Sequence, residues 1–153
     1  MLKRTIIYIV ILTAVLLAPL DRVDVGKLRP VETVAISRDA ADYVVMTDTG
    51  DRGRGVTLDA AITNLMETTP AVVYLDTARY LLLSKDSVDA GERLHRYFKG
   101  TVKLYSFRGE VDLEAASKYL SVHGNGPALK GWKEGEKLPV LLCAESRMKL
   151  SEK

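Results

Sequence analysis

Hydrophobic and polar positions divide the chain into an apolar leader and a longer mixed region. From Thr5 to Leu20 no residue is charged (TIIYIVILTAVLLAPL). Lys3 and Arg4 precede this run, and Asp21, Arg22 and Asp24 end it. As a helix it spans roughly 24 Å at about 1.5 Å per residue, slightly short of a hydrocarbon core of about 30 Å. A soluble helix keeps a polar face and this segment has none, so it reads as a signal anchor or signal peptide over residues 1–20. No small-x-small cleavage site is well formed, and Pro19 follows Ala18 directly, which favours a retained anchor. The positive-inside rule keeps Lys3 and Arg4 cytoplasmic and places the rest of the chain on the extracytoplasmic side of the membrane.

Residues 21–30 read as a polar juxtamembrane linker, with Gly26 and Pro30 opposing regular structure. From residue 31 to 145 the pattern alternates between strand-like and helical periods. Val31–Ile36 and Tyr43–Thr47 are rich in β-branched residues and predict a hairpin turning at Ser37-Arg38-Asp39. A glycine-rich turn covers residues 48–55. Thr57 then caps a helix in which Leu58, Ala61, Ile62, Leu65 and Met66 share one face, stopped by Pro70. Val72–Leu75 and Tyr80–Leu83 are short strands, or one strand with a bend. A second helix opens at Ser84 or Asp86, with Val88, Leu94, Tyr97 and Phe98 inward and Gly100 at its end. Thr101–Phe107 alternates as a strand. A third helix starts at Glu110 or Asp112 and carries Leu113, Ala116, Tyr119 and Leu120 on one side. Residues 124–137 form a polar loop around Trp132, Leu138–Ala144 a last strand, and residues 146–153 a frayed tail. The expected fold is α/β (α+β): a mixed sheet of about five strands packed with three helices, preceded by a transmembrane helix.

Composition changes this picture little. The 153 residues are 47% hydrophobic and 27% charged with a net charge of +2. Neither this balance nor any basic stripe points to nucleic acid. The single cysteine, Cys143, excludes an intrachain disulfide framework and a cysteine-rich zinc site. The sequence predicts no metal and no cofactor.

One resemblance emerges from the order of elements. Gly53-Arg-Gly-Val-Thr-Leu-Asp-Ala-Ala-Ile-Thr-Asn-Leu65 is a glycine turn feeding a Thr-Leu-x-x-Ala helix. It is followed by Pro70-Ala-Val-Val-Tyr-Leu-Asp-Thr-Ala-Arg-Tyr-Leu-Leu-Leu83, a helix ending Arg96-Tyr-Phe98, and Val102-Lys-Leu-Tyr-Ser-Phe-Arg-Gly109 before another helix. Over about residues 31–120 this resembles the N-terminal domain of the Ger(x)C-type spore germination proteins, the C subunits of germinant receptors. The resemblance implies a non-enzymatic role through protein contacts with other germination receptor or spore membrane proteins, with no catalytic residues to carry over. Members of that family begin their mature chain with a lipid-bearing Cys-Trp-Asp and continue into further domains. No Cys or Trp stands near Asp21, so the expectation here is a short relative held by a peptide anchor.

The local chemical signals are few. Asp48-Thr49-Gly50 matches the aspartic-peptidase triplet, in which two such carboxylates share a proton. The polar Asp-Arg-Gly-Arg-Gly after it suits a turn better, and an extracytoplasmic hydrolase is the alternative reading. Arg52, Gly53, Arg54, Gly55 and Thr57 form a candidate anion site, with two cations beside the free N–H groups of a helix start. Asp48 and Asp51 supply too few oxygens for calcium. His95 and His123 share no ligand spacing with each other or with Cys143, which reads as a small buried hydrophobe. Trp132, a large aromatic in a polar loop, is a candidate partner surface or a residue folded back onto the core.

Overall fold

The computed structural model describes residues 28–144 and 147–151. The expected anchor over residues 1–20 lies outside the described residues. Among those that are described, no helix is long and apolar enough to cross a membrane.

The chain folds as a mixed α/β domain. Its strands are β1 (Leu28–Pro30), β2 (Thr33–Asp39), β3 (Asp42–Thr47), β4 (Arg52–Gly55), β5 (Val72–Tyr74), β6 (Tyr80–Ser84), β7 (Lys103–Arg108), β8 (Val140–Ala144) and β9 (Arg147–Ser151). Its α-helices are α1 (Leu58–Thr68), α2 (Gly91–Leu94) and α3 (Leu113–His123). Seven strands form one sheet in the order β4-β3-β2-β6-β7-β8-β9. The central four, β2, β6, β7 and β8, run parallel. Antiparallel strands flank them: β3 and β4 on one side, β9 on the other. The short β1 and β5 pair in parallel as a separate two-stranded sheet.

Side chains alternate across the sheet and fill a core on each face. On the first face, Val34, Ile36, Val45, Leu81, Leu83 and Leu104 pack under α1 and the segment from Lys85 to Phe98. On the second, Ala35, Leu82, Tyr105, Phe107 and Leu141 pack under α3 through Leu113, Ala116 and Leu120. β2, β6 and β7 lie between two covered faces, which is why Leu81-Leu82-Leu83 is a continuous apolar run rather than an alternating one. The helix starts are those expected: the Thr57 hydroxyl accepts from Ala60 N–H and the Asp112 carboxylate from Ala115 N–H, both at 3.1 Å.

Several elements differ from the sequence pattern. The sheet has seven strands where about five were expected. β4 occupies the glycine-rich stretch taken for a turn, and its glycines let it lie flat on α1. A Cβ at Gly53 would stand 2.2 Å from the Ala61 carbonyl oxygen, and one at Gly55 2.6 Å from Ala61 N. β1 lies within the expected linker and β9 within the expected frayed tail, each held by pairing with a strand remote in sequence or by a hairpin. The first hairpin turns at Ala40-Ala41, not at Ser37-Arg38-Asp39, and Ala40 takes a positive φ of 54°. The second helix is shorter than expected: a 3₁₀ segment from Lys85 to Ala90, then α2. Here the buried Ser87 hydroxyl donates to a backbone carbonyl, with the Ile36 oxygen at 2.8 Å and the Ser84 oxygen at 3.0 Å. That competing bond, with Gly91 following, favours a tight local turn over a long α-helix.

Candidate functional site

The Asp48 turn joins β3 to β4 and borders an open cavity of about 330 Å³ shared with the start of α3. Its polar groups are bonded mainly to one another. The Thr47 and Thr49 hydroxyls are 2.8 Å apart, Asp51 N–H donates to the Thr47 hydroxyl at 3.1 Å, and the Thr49 hydroxyl donates to Asp51 at 2.8 Å. Arg29 reaches the Asp51 carboxylate at 3.4 Å. Asp48 itself faces the entrance of β2: its Oδ2 accepts the N–H groups of Glu32 and Thr33, each at 3.1 Å.

Asp48 Oδ1 is buried and receives no hydrogen bond, and the neighbouring Thr33 hydroxyl is likewise buried without a partner. Burial pushes the Asp48 carboxyl above the ordinary carboxylate range. The N–H groups of Glu32, Thr33 and Asp48 pull it down, and the Glu32 carboxylate adds a smaller upward push. With one Asp-Thr-Gly triplet per chain, a proton-sharing dyad would need a second copy to supply the other carboxylate. The acids around this cavity and at Glu32 are engaged elsewhere: Asp51 with Thr49 and Arg29, Asp112 as the α3 cap, Glu114 with Lys118 at 2.7 Å, and Glu32 with the Ser117 hydroxyl at 3.2 Å. Within the chain the Asp-Thr-Gly triplet fastens the β3–β4 turn to the residues entering β2.

The candidate anion site is differently built from its sequence expectation. Arg52, Gly53, Arg54 and Gly55 are strand rather than loop. Arg54 is neutralised by Asp42 at 2.8 Å and Asp39 at 3.3 Å. Its own N–H donates to the Asn64 side chain, and the Thr57 hydroxyl takes the Ala60 N–H in the first turn of α1. Among the described residues only Arg52 remains an exposed, unpaired cation there, and Gly53 is buried against α1.

Trp132 is 6% exposed and belongs to the first core, which corrects its assignment to a partner surface. Its ring lies against Gly91, where a Cβ would be 2.6 Å from Cζ3, and its Nε1 donates to the Glu136 carbonyl at 3.2 Å. The glycine that receives the ring is the signal in the sequence: a helix interior loses stability at Gly unless something needs the space. His95 and His123 are both exposed, and His123 stacks on Tyr119 with ring centroids 4.7 Å apart. Cys143 is half-buried against the second core, and burial pushes its thiol up. Among the described residues no cluster of His, Cys, Asp and Glu is arranged to hold a metal ion.

The feature not anticipated from the sequence is the outward face of the β1–β5 pair. Register places Leu28 beside Val72 and Pro30 beside Tyr74. Val73, between them, turns inward to the core, so Val72 and Tyr74 point outward and are 46% and 47% exposed. Val72–Leu75 was readable as a short apolar strand, but its outward face was not, because the partner strand lay in a segment taken for linker. Compared with known proteins, the chain matches no family model, no curated protein and no solved structure.

Proposed function

We propose that the chain is a non-catalytic, membrane-anchored extracytoplasmic domain that works through protein contacts in spore germination or sporulation, as a short relative of germinant receptor C subunits. Its anchor is the apolar run Thr5–Leu20, with Lys3 and Arg4 on the cytoplasmic side. The observation that carries this reading is the outward apolar face of exposed Pro30, Val72 and Tyr74 with half-buried Leu28 at its edge. Residues 21–27 separate it from the end of the apolar run. At about 3.3–3.6 Å per extended residue, seven residues reach at most roughly 25 Å. The partner of this face is therefore a protein resident in the same membrane, meeting the domain close to the lipid surface. A contiguous apolar face with an aromatic residue is the composition of an interface centre.

Site-specific photo-crosslinking in the sporulating cell tests the reading. A crosslinker at Val72 or Tyr74 should capture an integral membrane protein, and one at Val122, 75% exposed on α3, should not. Equal capture from all three positions, or unchanged spore formation and nutrient germination after deletion, would overturn it. A mature N-terminus near Leu20 would remove the anchor.

A further inference from the structure

The parallel centre of the sheet sends its connections to opposite faces at one point. After β6 the chain turns onto the first face, through the 3₁₀ segment Lys85–Ala90 and α2; after β7 it turns onto the second, into α3. Connections that part in this way open a crevice beyond the carboxyl ends of the strands, the position where parallel α/β sheets bind ligands. A cavity of about 480 Å³ lies there. Ser106 and Arg108 of β7 and Val140 of β8 form its floor, Lys85 and Val88 one wall, and the loop through Lys137 the other. Ser106 and Arg108 alternate with the buried Tyr105 and Phe107, so they share the face of Leu104, on the same side as Val88.

The charge of this cavity is one-sided. Lys85, Arg108 and Lys137 are all exposed, and among the described residues none of their side chains makes an ion pair or hydrogen bond. Among the described residues the one acid in the lining is Glu136, whose carboxylate accepts the Lys133 N–H at 3.3 Å while its carbonyl receives Trp132 Nε1. The buried indole thus fixes the loop that carries Lys137. Five cations elsewhere, Arg29, Arg38, Arg54, Arg96 and Lys118, each have a carboxylate within 3.6 Å, whereas others such as Arg52 do not; what sets Lys85, Arg108 and Lys137 apart is that they line one cavity. Three cations without an ion pair among the described residues line one crevice against a single acid, with a hydroxyl in its floor; they suit a small dianion, and a guanidinium beside ammonium groups suits a phosphate monoester.

We infer that this carboxyl-edge cavity is a binding site for a phosphate monoester, held by Lys85, Arg108 and Lys137 with Ser106 in its floor. The inference does not depend on the partner face. Both a soluble organic phosphate and the headgroup of phosphatidic acid carry the required group.

The test is calorimetric titration of the full chain in nonionic detergent with inorganic phosphate and with glycerol phosphate, using sodium chloride at matched ionic strength as the control. Saturable binding is expected, weakened about tenfold by Arg108→Gln and by Lys137→Gln, the loss of one charge-assisted hydrogen bond each. Arg52→Gln, which removes an exposed cation outside the cavity, should leave it unchanged. Reconstitution in neutral nanodiscs with and without phosphatidic acid distinguishes the sources. Competition by the lipid assigns a headgroup, and its absence a soluble ligand. No saturable response to either phosphate up to about 10 mM, or equal weakening by Arg52→Gln, would overturn the site.

Discussion

Replacing Asp48 by alanine and by asparagine separates its role as a backbone acceptor from the cost of its charge. In the wild type, Oδ2 receives two backbone N–H groups at 3.1 Å, while Oδ1 is buried without a donor. Alanine removes both bonds. The Glu32 N–H is on an exposed residue and regains water, but Thr33 is fully buried, and its stranded N–H carries a desolvation penalty of about 1–3 kcal/mol. Relief of the half-buried charge offsets part of this, leaving an expected loss of about 1–2 kcal/mol at neutral pH. Asparagine keeps an acceptor for the two N–H groups and brings N–H donors where the carboxylate has a bare oxygen. It should therefore match or exceed wild-type stability at pH 7. The two should also differ in pH dependence. Because the folded carboxyl titrates above its unfolded value, its contribution to stability is fully present below the unfolded pKa and is lost as pH rises through the folded one. The advantage of asparagine should therefore shrink on acidification from neutral pH. Urea unfolding of the full chain in detergent, read by the single buried Trp132, gives all three curves. An asparagine variant less stable than wild type at pH 7 by as much as the alanine variant, or an advantage that grows on acidification, would refute the reasoning.

Two further substitutions probe the backbone. Gly53→Ala drives a methyl group into the Ala61 carbonyl and the Leu65 side chain, 2.2 and 2.6 Å away, and should cost at least the upper end of the ~1–3 kcal/mol overpacking range; Gly131→Ala, with nothing within 4 Å, should unfold at nearly the wild-type urea midpoint. Ala40→Gly relieves an alanine at φ 54° and should stabilise the domain by about 0.5–1 kcal/mol after the entropy of glycine is subtracted, seen as a raised melting temperature.

The parts of the fold that were legible are those where local pattern and tertiary demand agree. Leu58, Ala61, Ile62 and Leu65 keep a 3.6-residue period because α1 has a single buried face, and Thr57 and Asp112 cap their helices as their residue types dictate. The strands that escaped notice owe their conformation to distant chain. β4 is two arginines and two glycines, a turn by composition, and becomes a strand because α1 leaves room only for glycine. β1 needs β5, more than forty residues away, before its pattern has meaning. For the sites, the arginines nearest a glycine turn drew attention by proximity in sequence, yet Asp39 and Asp42 neutralise one of them across a hairpin. Lys85, Arg108 and Lys137 come from three separate segments, and only the sheet topology brings them together.

The fastening at the start of β2 also determines how the domain carries mechanical load. A pull on the N-terminus is first borne by the parallel β1–β5 pair along its length, a shearing geometry in which the backbone bonds share the strain. The next residue, Val31, is held by Thr77: its N–H donates to that hydroxyl at 3.0 Å, and its carbonyl lies at the same distance. The Glu32 carbonyl receives both Arg79 and Tyr80 N–H, and Asp48 holds the following two amides. Beyond these attachments the chain enters β2, which is flanked by β3 and β6 inside the sheet. Force applied at the start of β1 is thus passed directly into a central strand of the sheet rather than peeling it from an edge.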